Sequence, residues 1–87
     1  MNWTDEAREI MDDLLMELPL PVRDGVRQAA ELRAEALAED AKAVKVTLEN
    51  GVRAFIESTP ADLRQRLKHT LSYKGIDPEE YAQAFEE

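Results

Sequence analysis

The sequence predicts an all-α fold: a small bundle of four to five helices around a long central helix. Three observations carry that prediction. Apolar residues recur at three- and four-residue steps along most of the chain, the spacing of one helix face. Pro19, Pro21, Pro60 and Pro78 fall between those runs, beside residues that start helices. No stretch shows a strand-like alternation of useful length.

The 87 residues make one domain, 1–87. A chain of this size buries roughly 60–65% of its unfolded surface, enough for a modest core. Cysteine is absent, which removes disulfides, thiol nucleophiles and Cys-ligated metals. The net charge of −8 repels phosphate backbones and anionic membrane surfaces, so neither nucleic acid nor lipid is the expected partner. A basic or neutral protein is. No apolar run approaches a membrane span, and Met1–Glu6 lacks the basic and apolar parts of a signal peptide. A cytoplasmic location is expected.

Thr4 is an N-cap followed by Asp5 and Glu6, which suit the positive end of a helix dipole. Ala7, Ile10, Met11, Leu14, Leu15 and Leu18 then share one face, giving helix one over about 5–18. Trp3, before the cap, is placed to fold back as a hydrophobic staple. Pro19 ends the helix, and Pro21 holds Leu20 extended and opens the next helix. Leu18, Leu20 and Val22 are apolar anchors of this stiff corner.

Helix two is predicted over about 21–44, roughly 35 Å at 1.5 Å per residue. On a helical wheel Val22, Gly25, Val26, Ala29, Ala30, Leu32, Ala36, Leu37, Ala41, Ala43 and Val44 cover about half the circumference. An arc that wide implies neighbours on two sides. Arg33 and Asp40 fall inside it. Arg33 either lays its stem on the core and snorkels, or pairs with a carboxylate of helix one, or anchors an anionic ligand or partner. Asp40, near the helix end, is read as solvated.

Thr47 caps helix three, about 48–57, whose buried stripe is Leu48, Val52, Phe55 and Ile56. Gly51 lies on that stripe, where helix two is expected to approach. Thr59 and Pro60 open helix four, about 60–73, with Leu63, Leu67 and Leu71 inward and Gly75 as its left-handed terminator. Its Arg64, Arg66 and Lys68, with Lys74, form the one basic patch. Those cations either receive an acidic partner or offset acidic helix one within the fold. Asp77 and Pro78 start a last helix, about 78–85, docked through Ile76, Tyr81, Ala84 and Phe85.

Catalytic constellations are absent from the pattern. His69 is the only imidazole, and no Glu-x-x-His, calcium loop or phosphate-cradling glycine loop occurs. His69 and the adjacent pairs Asp12–Asp13 and Glu79–Glu80 read as solvated charge. No metal site, cofactor or autonomous enzymatic activity is expected.

Trp3-Thr4-Asp5-Glu6-Ala7, Leu18-Pro19-x-Pro21-Val22-Arg23, Val26-Arg27, Glu31-x-x-Ala34 and Val46-Thr47-Leu48-Glu49 stand in one order. This set resembles the small helical domain at the C-terminus of the catalytic component of light-independent protochlorophyllide reductase, which also occurs as short stand-alone proteins. The resemblance covers residues 3–55; the helices over 59–87 lie outside it. Where that family usually breaks the second helix with a glycine, this chain has Glu39-Asp40-Ala41-Lys42-Ala43, so a longer helix two is expected. In the full enzyme the cluster ligands and the proton-donating acid belong to other domains. The resemblance therefore implies an accessory, non-catalytic interaction module, with a protein partner that acts in tetrapyrrole metabolism. It carries over Pro19, Val22, Arg23, Glu31 and Thr47 as motif residues. Arg23, Arg27 and Arg33 form the candidate contact surface, with the basic helix four as a second one. Two alternatives stay open: a protein holding a tetrapyrrole carboxylate through Arg33 or Arg23, and a histone-like handshake homodimer without DNA binding.

Overall fold

The computed structural model describes residues 2–86 and is a small all-α bundle with one minimal sheet. The element order is β1 (Asn2–Trp3), α1 (Asp5–Met16), α2 (Leu20–Asp40), β2 (Lys45–Val46), α3 (Leu48–Ser58), α4 (Ala61–Tyr73), a 3-10 turn (Pro78–Tyr81) and α5 (Ala82–Glu86).

α2 is the long helix, and its 21 residues run about 31 Å. The helix enclosed by the others is α3. It packs on α1, α2 and α5, and Gly51, Val52, Ala54, Phe55 and Ile56 are all buried. Its broad apolar face is covered by those neighbours, while Glu49, Asn50, Arg53 and Glu57 lie on its other face. Ile10, Met11, Leu14, Leu15 and Leu18 from the first helical segment meet Val52, Phe55 and Ile56, with Val26, Leu67, Leu71 and Ala84 closing the core. A second cluster of Ala7, Ala34, Ala38, Val46 and Ala54 lets α2 and α3 approach closely.

The inward face of α2 differs from the wheel prediction. Val26, Ala30, Ala34 and Ala38 are buried, one residue per turn, and α3 of the same chain is the main neighbour. Leu32, Leu20 and Val44 point outward, with Leu32 72% exposed. The wheel weighted large apolar side chains; the packing selected small ones, because close helix contact favours alanine over leucine.

α2 also ends earlier than predicted, at Asp40. Lys42 takes a left-handed φ of 58°, the Ala43 N–H donates to the Ala38 carbonyl (2.8 Å) and the Lys42 N–H to that of Glu39 (2.9 Å). This is a Schellman terminator with lysine where glycine is usual. The stop therefore occurs without the glycine signal. Gly75, φ 84°, terminates α4 in the same way, as predicted, with Ile76 N–H to Leu71 O and Gly75 N–H to Ser72 O.

Both threonine caps are made. The Thr4 hydroxyl accepts from the Ala7 N–H, and Thr47 forms a capping box with Asn50. The residues before them pair in parallel, Asn2 with Lys45 and Trp3 with Val46. Two-residue strands lie below any sequence pattern. Thr59, predicted to cap α4, instead closes α3: it is buried and its hydroxyl donates to the Phe55 carbonyl at 2.6 Å. Gly51 faces Ala7 and the Trp3 ring, not α2. The C-terminal segment docks as predicted through Ile76, Tyr81, Ala84 and Phe85. No helix among the described residues is long and apolar enough to cross a membrane.

Candidate functional site

The densest charged arrangement lies where α2 crosses the end of α3. Arg53 and Glu57 sit one turn apart on α3, so their side chains share a face. Arg33 reaches Glu57 from α2. Arg33 Nε donates to Glu57 Oε1 at 2.7 Å, and Arg53 Nε donates to Oε2 at 2.9 Å. The Glu57 side chain is 10% exposed, and each arginine side chain is 40% exposed. Burial pushes the Glu57 carboxyl up, but hydrogen bonds and charge from Arg53 and Arg33 outweigh it and hold the pKa below the ordinary value. Arg33 thus pairs with a carboxylate of α3, and the alternative pairing with helix one is not made; α1 meets α2 further round, through Arg8. Asp40 is exposed, as expected.

The other motif residues are joints. Arg23 is half-buried, and its Nη2 donates to the carbonyls of Leu18 (2.9 Å) and Met16 (3.3 Å), closing the open end of α1. It braces the corner instead of standing free. Its buried Nε has no hydrogen-bond partner among the described residues. Pro19 is the N-cap position of α2 and Val22 packs against the core. Glu31 pairs with Arg8 at 3.2 Å, while the Arg8 guanidinium stacks on Trp3, 4.6 Å from the ring centroid. Trp3 and Arg8 occupy the two positions of a staple, joined by a cation–π contact. Trp3 Nε1 donates to Glu35 at 3.2 Å. Arg27 is exposed, 3.7 Å from Asp24 one turn away.

The predicted basic patch is divided. Arg64 points inward, donating to the carbonyls of Thr59 (3.0 Å), Glu57 (3.2 Å) and Phe85 (3.5 Å), and so ties α3, α4 and α5 together. Lys68 lies over the Phe85 ring at 5.1 Å. Arg66 and Lys74 line an open hollow with Glu17, His69 and Tyr73 on another side. Glu17, the C-cap residue of α1, is the one carboxylate on that hollow. Tyr81, partly buried and near Glu49 and Glu80, has its phenol pKa raised by burial and by those two carboxylates.

Glu57 and Arg53 were not singled out in the sequence. Their four-residue spacing on α3 was the available signal, but it matches any surface helix pair; only the arrival of Arg33 makes it a cluster. No group of three or more metal-ligating side chains occurs among the described residues.

No curated protein and no solved structure matches the chain. A family model described as "Protein of unknown function (DUF2621)" matches residues 1–85, nearly the whole length, and the chain belongs to that family.

Proposed function

We propose that the chain is a non-catalytic helical interaction module, of the accessory type found at the C-terminus of the catalytic component of light-independent protochlorophyllide reductase, which binds a protein partner in tetrapyrrole metabolism in the cytoplasm. The observation that carries this reading is the outward face of α2. Gly25, Ala29 and Leu32 are exposed at successive turns, with Ala36 partly so, and Leu32 stands out from the surface of a helix whose opposite side is fully packed. A large apolar side chain amid small neighbours is the form of an interface anchor. The motif residues support the same reading from the other side. Arg23, Glu31 and Thr47 are spent on joints, so they make a rigid support and leave contact to the outward face.

The test is a pull-down with the full chain from a phototrophic lysate. Wild type should retain a tetrapyrrole enzyme, and Leu32→Ser should lose it while keeping the helical circular dichroism of wild type. Recovery of no such enzyme, or equal recovery by both, counts against the proposal.

A further inference from the structure

The outer side of α4 carries a second surface. Arg66, His69, Thr70 and Tyr73 follow at three- and four-residue steps, so they share one face of the helix. With Lys74, and with Glu17 at the end of α1, they line an open hollow of about 380 Å³. The hollow adjoins a crevice between α1 and α4 floored by Leu14, Leu18, Leu63 and Leu67, and Glu17, Arg66 and Thr70 border both. The crevice admits only about 10 Å³, too little for a side chain, so contact is confined to its rim. Tyr73 is 92% exposed, more than any other large apolar side chain among the described residues. α4 itself buries only Leu67 and Leu71.

The charges select the occupant. The chain has 19 acidic residues and a net charge of −8, yet Glu17 alone among them lines the hollow. Asp13 and Asp62, one turn before Glu17 and Arg66, do not belong to the lining. Arg66 and Lys74 do, and neither makes an ion pair among the described residues. Two cations against one carboxylate leave the lining positive, even with His69 counted as neutral. An acidic group is therefore attracted here and repelled by the acidic helices elsewhere. A polyanion such as nucleic acid is repelled by the rest of the chain. An open hollow also does not enclose a free small ligand. Acidic side chains on a protein segment, with an apolar one to cover Tyr73, meet both constraints. We propose that the hollow between the end of α1 and α4 docks an acidic segment of a protein partner, its carboxylates on Arg66 and Lys74 and an apolar side chain on Tyr73. This docking stands independently of the Leu32 face.

The test is an NMR titration of the full chain at pH 7 with a blocked hexapeptide, Glu-Asp-Leu-Phe-Asp-Glu. Amide signals should shift saturably over residues 63–74 and at the end of α1. Affinity should fall at least about threefold between roughly 50 and roughly 300 mM sodium chloride. Arg66→Glu should weaken binding at least about fivefold. Lys45→Glu makes the same change in net charge beside Asn2, at the other end of α1, and should cost less than about twofold. Tyr73→Ser, at an exposed position, should cost at least about threefold while keeping the helical circular dichroism of wild type. Two further peptides fix the chemistry. Glu-Asp-Gly-Ser-Asp-Glu keeps the charge without the apolar pair, and Lys-Lys-Leu-Phe-Lys-Lys inverts the charge. Read at the α4 amides, each should bind at least about fivefold more weakly. The proposal is overturned by the absence of a saturable shift at α4, by equal losses in Arg66→Glu and Lys45→Glu, or by wild-type affinity in Tyr73→Ser. Either control peptide, or single-stranded DNA, bound at α4 as tightly as the acidic peptide overturns it too. The titration reads α4 directly, so its outcome is independent of capture through Leu32.

Discussion

Replacing Glu57 by glutamine keeps the side-chain volume and removes the charge that two arginines share. Hydrogen bonds to charged groups contribute about 1.5–3 kcal/mol each. Two are made here, at 2.7 and 2.9 Å. The full sum overstates the loss for two reasons. The glutamine oxygen still accepts one bond, and both arginines are 40% exposed, so water takes up part of what they lose. A destabilisation of about 2 kcal/mol follows. For a domain this small that lowers Tm by roughly 8–16 °C. Urea unfolding followed by circular dichroism measures it directly. The pH dependence is a sharper check. The folded pKa of Glu57 lies below its ordinary 4.5, because Arg53 and Arg33 overcome the upward push of burial. A depressed carboxylate pKa gives stability that is complete above the unfolded pKa and disappears as pH falls through the folded one. The gap between wild type and Glu57→Gln should therefore be level from pH 7 down to about pH 5 and narrow at lower pH. A gap under about 0.5 kcal/mol at pH 7, within the ordinary range of surface substitutions, would refute the shared-carboxylate account. So would a gap that stays constant into acid.

Other substitutions test the backbone and the corner. Gly25→Ala meets nothing within 4 Å, and a Cβ at Gly51 meets Ala7 and Trp3 at 3.8–3.9 Å, ordinary contact. Each should stabilise by about 0.5–1 kcal/mol in urea melts, and the double variant should show the sum. Lys42→Gly should raise Tm, since the left-handed position costs a lysine about 1 kcal/mol, whereas Gly75→Ala at φ 84° should lower it by a similar amount. Arg23→Ala frees the carbonyls of Met16 and Leu18 and should destabilise by about 1–2 kcal/mol, with faster amide exchange at the end of α1 as the local signature.

Much of the fold was legible in residues. Thr4, Thr47 and Gly75 act as the caps and terminator their types predict; the Pro19–Pro21 corner does separate the first two helices, but α1 stops at Met16 and Leu20, expected to be extended, is already the first residue of α2 behind Pro19. The rest depended on information that one segment does not contain. Lys42 adopts a conformation its side chain disfavours because Ala38 and Glu39 are ready to receive the turn. Thr59 does not cap α4 because Pro60 takes the N-cap position, and its hydroxyl donates to the Phe55 carbonyl of α3 instead. Leu32 faces outward because small residues, not large ones, decided which side of α2 meets α3. The charged cluster was half visible. Arg33 was marked as a cation on an apolar arc, but its partner came from α3, and a helical wheel cannot show which helix will lie opposite.

The pairing of Trp3 with Val46 has a consequence for the order in which the chain becomes structured. Trp3 emerges from the ribosome long before Val46, and until Val46 arrives the start of α1 has no strand to lie against. Residues made early are thus among those fixed late. α1 and the corner stay unanchored while all of α2 is synthesised. Once β2 appears, one short step brings the two threonine-capped starts side by side and sets α3 against α1. A stalled chain ending before Val46 should lack the bundle and show little stable helix in α1, whose 12 residues depend on α3 for burial, and the residues of α3 that follow should close it.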